Sequence, residues 1–165
     1  MIIVSACLCG INCKYDGGNN LDARLHKLFK EGKVMPVCPE QLGGQETPRA
    51  PHEIVNGDGL DVLEGKARIL GPEKDDDQTS KFLKGAYETL EIAEVVGASI
   101  AILKARSPSC GVGTIYDGTF SGTRRKGNGV TAQLLISKGI KVFTEENLDD
   151  LELQKGEIKW IIKMF

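Results

Sequence analysis

Short apolar runs alternate along this chain with segments of helical periodicity, and this alternation restricts its fold more than any other feature. The apolar runs have the length and composition of buried strands, and they cover residues 1–6, 33–38, 99–103 and 140–145. The periodic segments cover residues 21–32, 75–97 and 127–139. Strands that alternate with helices favour a mostly parallel sheet with helices packed against it. We therefore predict an α/β fold.

The remaining segments are predicted to be connections. Residues 40–49 are punctuated by Gly and Pro, which indicates a loop, and residues 52–70 show no helical period and indicate a small hairpin. The basic run Arg124–Lys126 is interpreted as a solvated loop. No linker or repeat divides the chain, so one domain is expected over 1–150. The apolar tail 151–165 would dock on the core or contact a partner subunit.

Composition and charge restrict the class of protein. The chain has 165 residues, of which 41% are hydrophobic and 27% charged, as in a soluble globular domain. A net charge of -2 argues against a protein that binds nucleic acid through charge alone. No apolar run reaches the length of a membrane helix, and the first residues lack the basic region of a signal peptide. A cytoplasmic protein without a membrane partner is expected.

Cysteines follow three of the predicted strands. Cys7 comes after the first strand, Cys38 ends the second and Cys110 follows the third. Because ligands bind beyond the carboxyl ends of parallel strands, the fold can bring these thiols to one edge. An odd total of five cysteines in a reducing compartment points to metal binding or catalysis and away from disulfides. Thiolates select zinc, copper(I) or an iron–sulfur cluster.

Two other roles for the cysteines stay open from the residues alone. Cysteine is often a small buried apolar residue, and Cys9 between Leu8 and Gly10 fits that description. A cysteine nucleophile would need a partner base. The two histidines lie in no motif with a cysteine; His26 is interpreted as a surface or core-edge residue and His52 as a solvated one.

Four motifs in order resemble a family catalogued as domain of unknown function 523, whose characterised members are thiouracil desulfurases, also called desulfidases. The motifs are "VSACLCG…CKYDGG", "CPEQLGG…PRAP", "DQTSKFLKGAYETL" and "AILKARSPSCGVGTIYDGTFSG…GNGVTAQLL". Together they span about residues 1–150, which makes the resemblance far more specific than one motif. It implies a Rossmann-like α/β domain with a [4Fe–4S] cluster on three cysteines. The implied reaction is non-redox removal of sulfur from a thiolated pyrimidine, releasing hydrogen sulfide.

The resemblance also implies roles for individual residues. Its cluster cysteines match Cys7, Cys38 and Cys110, its acid–base carboxylate matches Glu40, and its assisting hydroxyl matches Ser107. Cys9 and Cys13 fall where the family need not have cysteine, although either could supply a fourth ligand. Without the resemblance, Glu40 is a loop carboxylate and Ser107 a turn hydroxyl before Pro108.

Further candidates would line a substrate pocket. Two "YDG" triplets place Tyr15, Asp16 and Tyr116 in loops, where a tyrosine could stack on a base or the triplet could simply form a turn. Ser109 carries the same ambiguity as Ser107. A free thiolated base or nucleoside is the expected partner, ahead of a nucleic acid. The alternative function is a non-catalytic iron–sulfur or sulfur-handling protein, in which extra cysteines close the cluster.

Overall fold

The structure is a computed structural model that describes residues 1–148. Its strands are Ile2–Ser5 (β1), Val34–Val37 (β2), Glu53–Val55 (β3), Arg68–Leu70 (β4), Ile100–Leu103 (β5), Thr114–Tyr116 (β6), Arg124–Lys126 (β7) and Lys141–Thr144 (β8). Its α-helices are Ala23–Lys30 (α1), Pro39–Leu42 (α2), Gly59–Leu63 (α3), Thr79–Val95 (α4) and Val130–Ser137 (α5). Two 3₁₀ turns cover Ala6–Cys9 and Glu145–Asn147.

A parallel sheet of four strands in the order β2-β1-β5-β8 forms the centre of the fold. In β1, Ile2 pairs with Val34 on one side and with Ile100 on the other. All residues of β1 and β5 are buried, because helices cover both faces of a parallel sheet. This is why neither strand shows an alternating pattern in the sequence. The predicted mostly parallel α/β fold is confirmed.

Two apolar cores lie on opposite faces of the sheet. Ile3 packs into the core that α4 and α5 cover, whereas Ile2 and Val4 pack into the core that α1 covers. This separation follows from the period of two along a strand, which turns successive side chains to opposite faces. Burial of each such aliphatic side chain contributes about 1.5–3 kcal/mol to folding.

Helix α2 lies directly against α4 through two glycines. A Cβ on Gly85 of α4 would be 1.8 Å from the carbonyl oxygen of Pro39, and one on Gly43 would be 2.0 Å from that of Lys81. No larger residue fits at either position without separating the helices. This contact holds the segment that carries Cys38 and Glu40 in place at the end of β2.

The structure corrects three predictions about connections. Residues 39–42 are helical where a loop over 40–49 was expected, because Pro39 starts a helix that α4 supports. Strands β3 and β4 pair as the predicted hairpin over 52–70, but α3 lies in their connection. Arg124–Lys126 form β7, which pairs with β6 instead of remaining a solvated loop.

Two further expectations concern the C-terminal tail and membrane-spanning helices. The predicted tail 151–165 lies outside the described residues. Over 1–148, none of the helices combines the length and apolar composition that a membrane span requires.

Candidate active site

Three strand ends meet at one cavity of about 560 Å³. Cys7 lies in the 3₁₀ turn after β1, Cys38 directly follows β2, and Cys110 lies in the loop after β5. All three line the cavity, so the topology brings together the thiols that the sequence places at strand ends. The cavity has the size of an ordinary small-molecule site.

Strand order explains why the cavity forms at this edge. From β1 the sheet continues to β2 on one side and to β5 on the other, which is a topological switch point. Ser5, the last residue of β1, links the end of this strand to the segment that follows β5. Its hydroxyl accepts a hydrogen bond from the Lys104 backbone N–H at 2.9 Å and donates to the sulfur of Cys110 at 3.5 Å.

A fourth cysteine, Cys13, lies among these thiols. It lines the cavity with Cys7 and Cys38, and its carbonyl oxygen accepts a hydrogen bond from the sulfur of Cys38 at 3.8 Å. Hydrogen bonding to Cys13 lowers the pKa of Cys7, and lowers that of Cys38 to about 7, against the opposing effect of burial. The same contacts raise the pKa of Cys13. Both thiols are therefore easier to deprotonate than an ordinary cysteine, and the thiolate is the form in which cysteine binds a metal.

For the remaining two cysteines, burial has the largest effect on the pKa of the thiol. Cys110 is buried, and burial raises the pKa of its thiol despite the hydrogen bond from Ser5. Burial also raises the pKa of Cys9 to about 11. Cys9 is 1% exposed and is not among the residues that line the cavity, in agreement with its interpretation as a small apolar residue.

Glu40 and Ser107, the two predicted catalytic residues, both line the cavity. Glu40 lies in the first turn of α2, two residues after Cys38, and Oε2 of its carboxylate accepts a hydrogen bond of 2.6 Å from Nε of Arg49. The Ser107 hydroxyl oxygen accepts from the backbone N–H groups of Ser109 and Cys110, each at 3.1 Å. These bonds fix its oxygen beside Cys110 and leave its proton free to donate.

The four predicted substrate-binding residues separate into two pairs. Tyr15 and Tyr116 line the cavity, whereas Asp16 and Ser109 do not. Asp16 forms an exposed ion pair with Lys14 at 2.6 Å. The Ser109 hydroxyl is enclosed and hydrogen-bonds with that of Thr131 at 2.8 Å. The structure therefore gives both side chains partners elsewhere, and their contact with a substrate stays a prediction.

Arg49, which the sequence suggests equally as a charge that offsets a cluster or as a surface residue, lies in the wall of the cavity. Its guanidinium reaches Glu40 through Nε and the carbonyl oxygen of Cys13 through Nη2, at 3.2 Å, while its backbone N–H donates to the carbonyl of Tyr15 at 2.8 Å. The side chain is only 7% exposed. One arginine thus ties together three parts of the cavity wall. Its place in the "PRAP" motif was the available signal.

His52 and Glu53 also line the cavity, and neither was expected to. The interpretation of His52 as a solvated residue is wrong, since its side chain is buried and its Nε2 lies 2.8 Å from a carboxylate oxygen of Asp76. Glu53 is buried as well, and its carboxylate accepts from the backbone N–H groups of Gly118 at 2.9 Å and Phe120 at 3.1 Å. No local sequence pattern indicates either long-range contact.

The donor set of the cavity fits an iron–sulfur cluster. Four cysteine thiols line it, and soft sulfur donors are the ligands such clusters take. Over residues 1–148, no three His, Cys, Asp or Glu side chains are arranged to hold a single metal ion. A cluster differs from a single ion because each cysteine binds a separate iron, so its ligands stand farther apart. Arg49 and Lys104 also line the cavity, each in an ion pair, with Glu40 and Glu145 respectively.

Comparisons with known proteins agree with this geometry. The 2-thiouracil desulfurase family matches residues 2–147. An uncharacterized protein of Bacillus subtilis (strain 168), YbbK, is 48% identical over 151 residues, which cover 92% of this chain and 99% of that protein. A solved structure of the [4Fe-4S]-dependent thiouracil desulfidase TudS matches with a TM-score of 0.80 and 38% identity, covering 93% of this chain and 95% of that one. The chain belongs to the 2-thiouracil desulfurase family.

Proposed function

We propose that this protein is a [4Fe–4S]-dependent desulfidase that removes sulfur from thiouracil. The observation that carries the proposal is the meeting of Cys7, Cys38 and Cys110 at a cavity that Glu40 and Ser107 also line. Family membership and the solved desulfidase relative support the same reaction and the same cofactor.

Cys7, Cys38 and Cys110 would hold the cluster, one thiolate on each of three irons. When bound, the cluster supplies a Lewis-acidic iron that attracts the sulfur of the substrate and makes the adjoining carbon more electrophilic. The three ligands come from three different strand ends, so the sheet itself fixes their spacing. The hydrogen bond from Ser5 further holds Cys110.

The chain's own residues would manage the protons of this hydrolysis. The oxygen of one water replaces the sulfur on carbon, and the two protons of that water leave with the sulfide as hydrogen sulfide, so no electrons are exchanged. Glu40 would take a proton from the attacking water and return it. Arg49 orients the Glu40 carboxylate, and the free proton of Ser107 can be donated to a heteroatom of the substrate ring.

The substrate class is a thiolated pyrimidine base or nucleoside. Tyr15 and Tyr116 present aromatic rings at the cavity wall, which suits stacking on a planar ring. Asp16 and Ser109 would support the loops that carry these contacts. A cytoplasmic location suits the five free cysteines, which persist in a reducing compartment.

The test is anaerobic reconstitution with iron and sulfide, followed by an assay of sulfide release from 2-thiouracil. The loaded protein should be brown, contain iron and release sulfide together with uracil. Cys110→Ser should lose both iron and activity, and Cys9→Ser is the matched control because Cys9 is buried outside the cavity. A colourless, iron-free wild-type protein after reconstitution would contradict the proposal.

One observation favours a second candidate, a non-catalytic iron–sulfur protein. Cys13 lines the cavity with the other three thiols and could close the fourth iron permanently. A loaded protein that binds four irons yet releases no sulfide from 2-thiouracil would support this alternative. A cysteine nucleophile has no such support, because over 1–148 the two histidine rings bond to Asp76 and to the carbonyl oxygen of Cys9, and neither bonds to a cysteine thiol.

A further inference from the structure

The cavity contains one thiol more than the three proposed ligands. Cys13 is 1% exposed, and it lines the cavity together with Cys7, Cys38 and Cys110. An iron–sulfur cluster of the [4Fe–4S] type ordinarily takes four cysteine ligands. The chain therefore carries a complete set of donors around the site, although its proposed reaction needs one iron without a permanent ligand.

Position in the cavity and one hydrogen bond hold Cys13 beside the proposed ligands. Cys13 lines the cavity that Cys7, Cys38 and Cys110 also line. Its carbonyl oxygen accepts from the sulfur of Cys38 at 3.8 Å and from Nη2 of Arg49 at 3.2 Å. A thiol on the wall of the cavity where the three proposed ligands meet lies within reach of the metal centre that those ligands would share.

We propose that Cys13 is a displaceable fourth ligand, which binds the remaining iron in the resting enzyme and leaves it when the substrate's sulfur arrives. The proposal rests on the function proposed above. The exchange moves no electrons, since one iron–sulfur bond to Cys13 breaks as one to the substrate forms. The released Cys13 thiolate takes up a proton.

The position of Cys13 in the chain suits a ligand that must leave. Cys7, Cys38 and Cys110 follow strands of the central sheet, and Ser5 of β1 also fixes Cys110. Cys13 instead lies between the first 3₁₀ turn and α1, in a segment that is neither helix nor strand. Such a segment can shift without disturbing the register of the sheet.

The experiment compares Cys13→Ala with Cys9→Ala after anaerobic reconstitution of each full-length protein. Cys9 is the matched control, since it is equally buried in the same part of the chain but does not line the cavity. Each loaded protein is treated with ferricyanide, and its iron content and EPR spectrum are recorded. A fourth iron without a cysteine ligand is the one that oxidation releases.

We expect the iron content of Cys13→Ala to fall from about four to about three irons per chain. The oxidised variant should give the EPR signal of a [3Fe–4S] cluster. Wild type and Cys9→Ala should keep the fourth iron under the same treatment. Cys13→Ala should also show a lower KM for 2-thiouracil, because the substrate no longer competes with a thiolate. Cys13→Ser, whose hydroxyl is a poorer ligand for iron, should lose iron to an intermediate extent.

Two results would overturn the proposal. If wild type loses its fourth iron as readily as Cys13→Ala while both release sulfide, Cys13 is not a ligand and the proposed desulfidase function still stands. If Cys13→Ala, Cys13→Ser and wild type all fail to take up iron, the proposed function falls as well. Iron content before oxidation separates these two results.

Discussion

Arg49 donates a hydrogen bond of 2.6 Å from its Nε to Oε2 of Glu40, and the pair is largely withdrawn from solvent, with 7% and 16% of the two side chains exposed. The same guanidinium reaches the carbonyl oxygen of Cys13. A single side chain thus connects the proposed acid–base carboxylate with the segment that carries the fourth thiol. Dissolved salt screens a largely buried pair much less than an exposed one, so the attraction between these two side chains depends little on ionic strength.

Replacement of Glu40 tests its role in proton transfer. Glu40→Gln keeps the size of the side chain but removes the base, so we expect kcat for sulfide release to fall by about 100-fold or more. Iron content should not change, because Glu40 is no cluster ligand. Glu46→Gln is the control, as Glu46 is an exposed glutamate of the following loop. An active Glu40→Gln enzyme would assign the proton transfer to another group.

The contact between α2 and α4 predicts that a small side chain at Gly85 damages the site from a distance. Gly85→Ala places a methyl group against the carbonyl oxygen of Pro39, and overpacking of this kind costs about 1–3 kcal/mol. We expect a lower Tm and, because α2 must move, a lower iron content. Lys84→Ala changes an exposed neighbour on α4 and should alter neither measurement.

Glu53 should govern substrate binding without taking part in the chemistry. Its carboxylate holds the backbone N–H groups of Gly118 and Phe120, and hydrogen bonds to a charged group contribute about 1.5–3 kcal/mol. Glu53→Gln is expected to loosen this loop, raise KM for 2-thiouracil and leave kcat and iron content nearly unchanged. Glu73→Gln, at an exposed position, is the control. An unchanged KM would show that the loop does not contact the substrate.

The Asp76 carboxylate predicts a pH-dependent contribution to stability. Hydrogen bonds from Gln78 and then His52 lower the pKa of Asp76 below its usual range. A carboxylate with a lowered pKa in the folded state stabilises the protein above its unfolded pKa of about 3.9, and this stabilisation is lost as the pH falls through the folded value. Asp76→Asn should therefore lower Tm at neutral pH and have little effect in strong acid. Thermal unfolding across pH, with Asp75→Asn as control, measures the difference.

The strands, and the positions of the thiols at their ends, were predictable from the sequence because the signals for both are local. β1 and β5 are uninterrupted apolar runs, and the position of Cys7 and Cys110 after them follows from chain order. Helix α2 was missed because a helix of four residues, the first of them Pro39, carries no periodicity, and its support comes from Gly85 on a distant helix. β7 was missed because all three of its residues are exposed, which leaves no alternation to detect.

The polar part of the site was less predictable for a similar reason. His52 is buried by the edge of the Phe82 ring, 5.8 Å away between centroids, and Phe82 follows it by thirty positions. Arg49 donates a hydrogen bond to Glu40 across a loop whose course cannot be predicted from the sequence. The resemblance to a family identified Glu40 and Ser107 as candidates, but it did not identify their neighbours.

Two parts of the fold form the cavity, and Glu53 holds the loop after β6, which belongs to one of them. The thiols belong to the edge of the central sheet, whereas Tyr116 and Gly122 belong to the small hairpin of β6 and β7. Changes in the hairpin can therefore reshape the space offered to a substrate while the proposed metal ligands stay where the sheet puts them. We expect variation in the hairpin to alter which thiolated compounds fit the cavity without altering the arrangement of the cysteines.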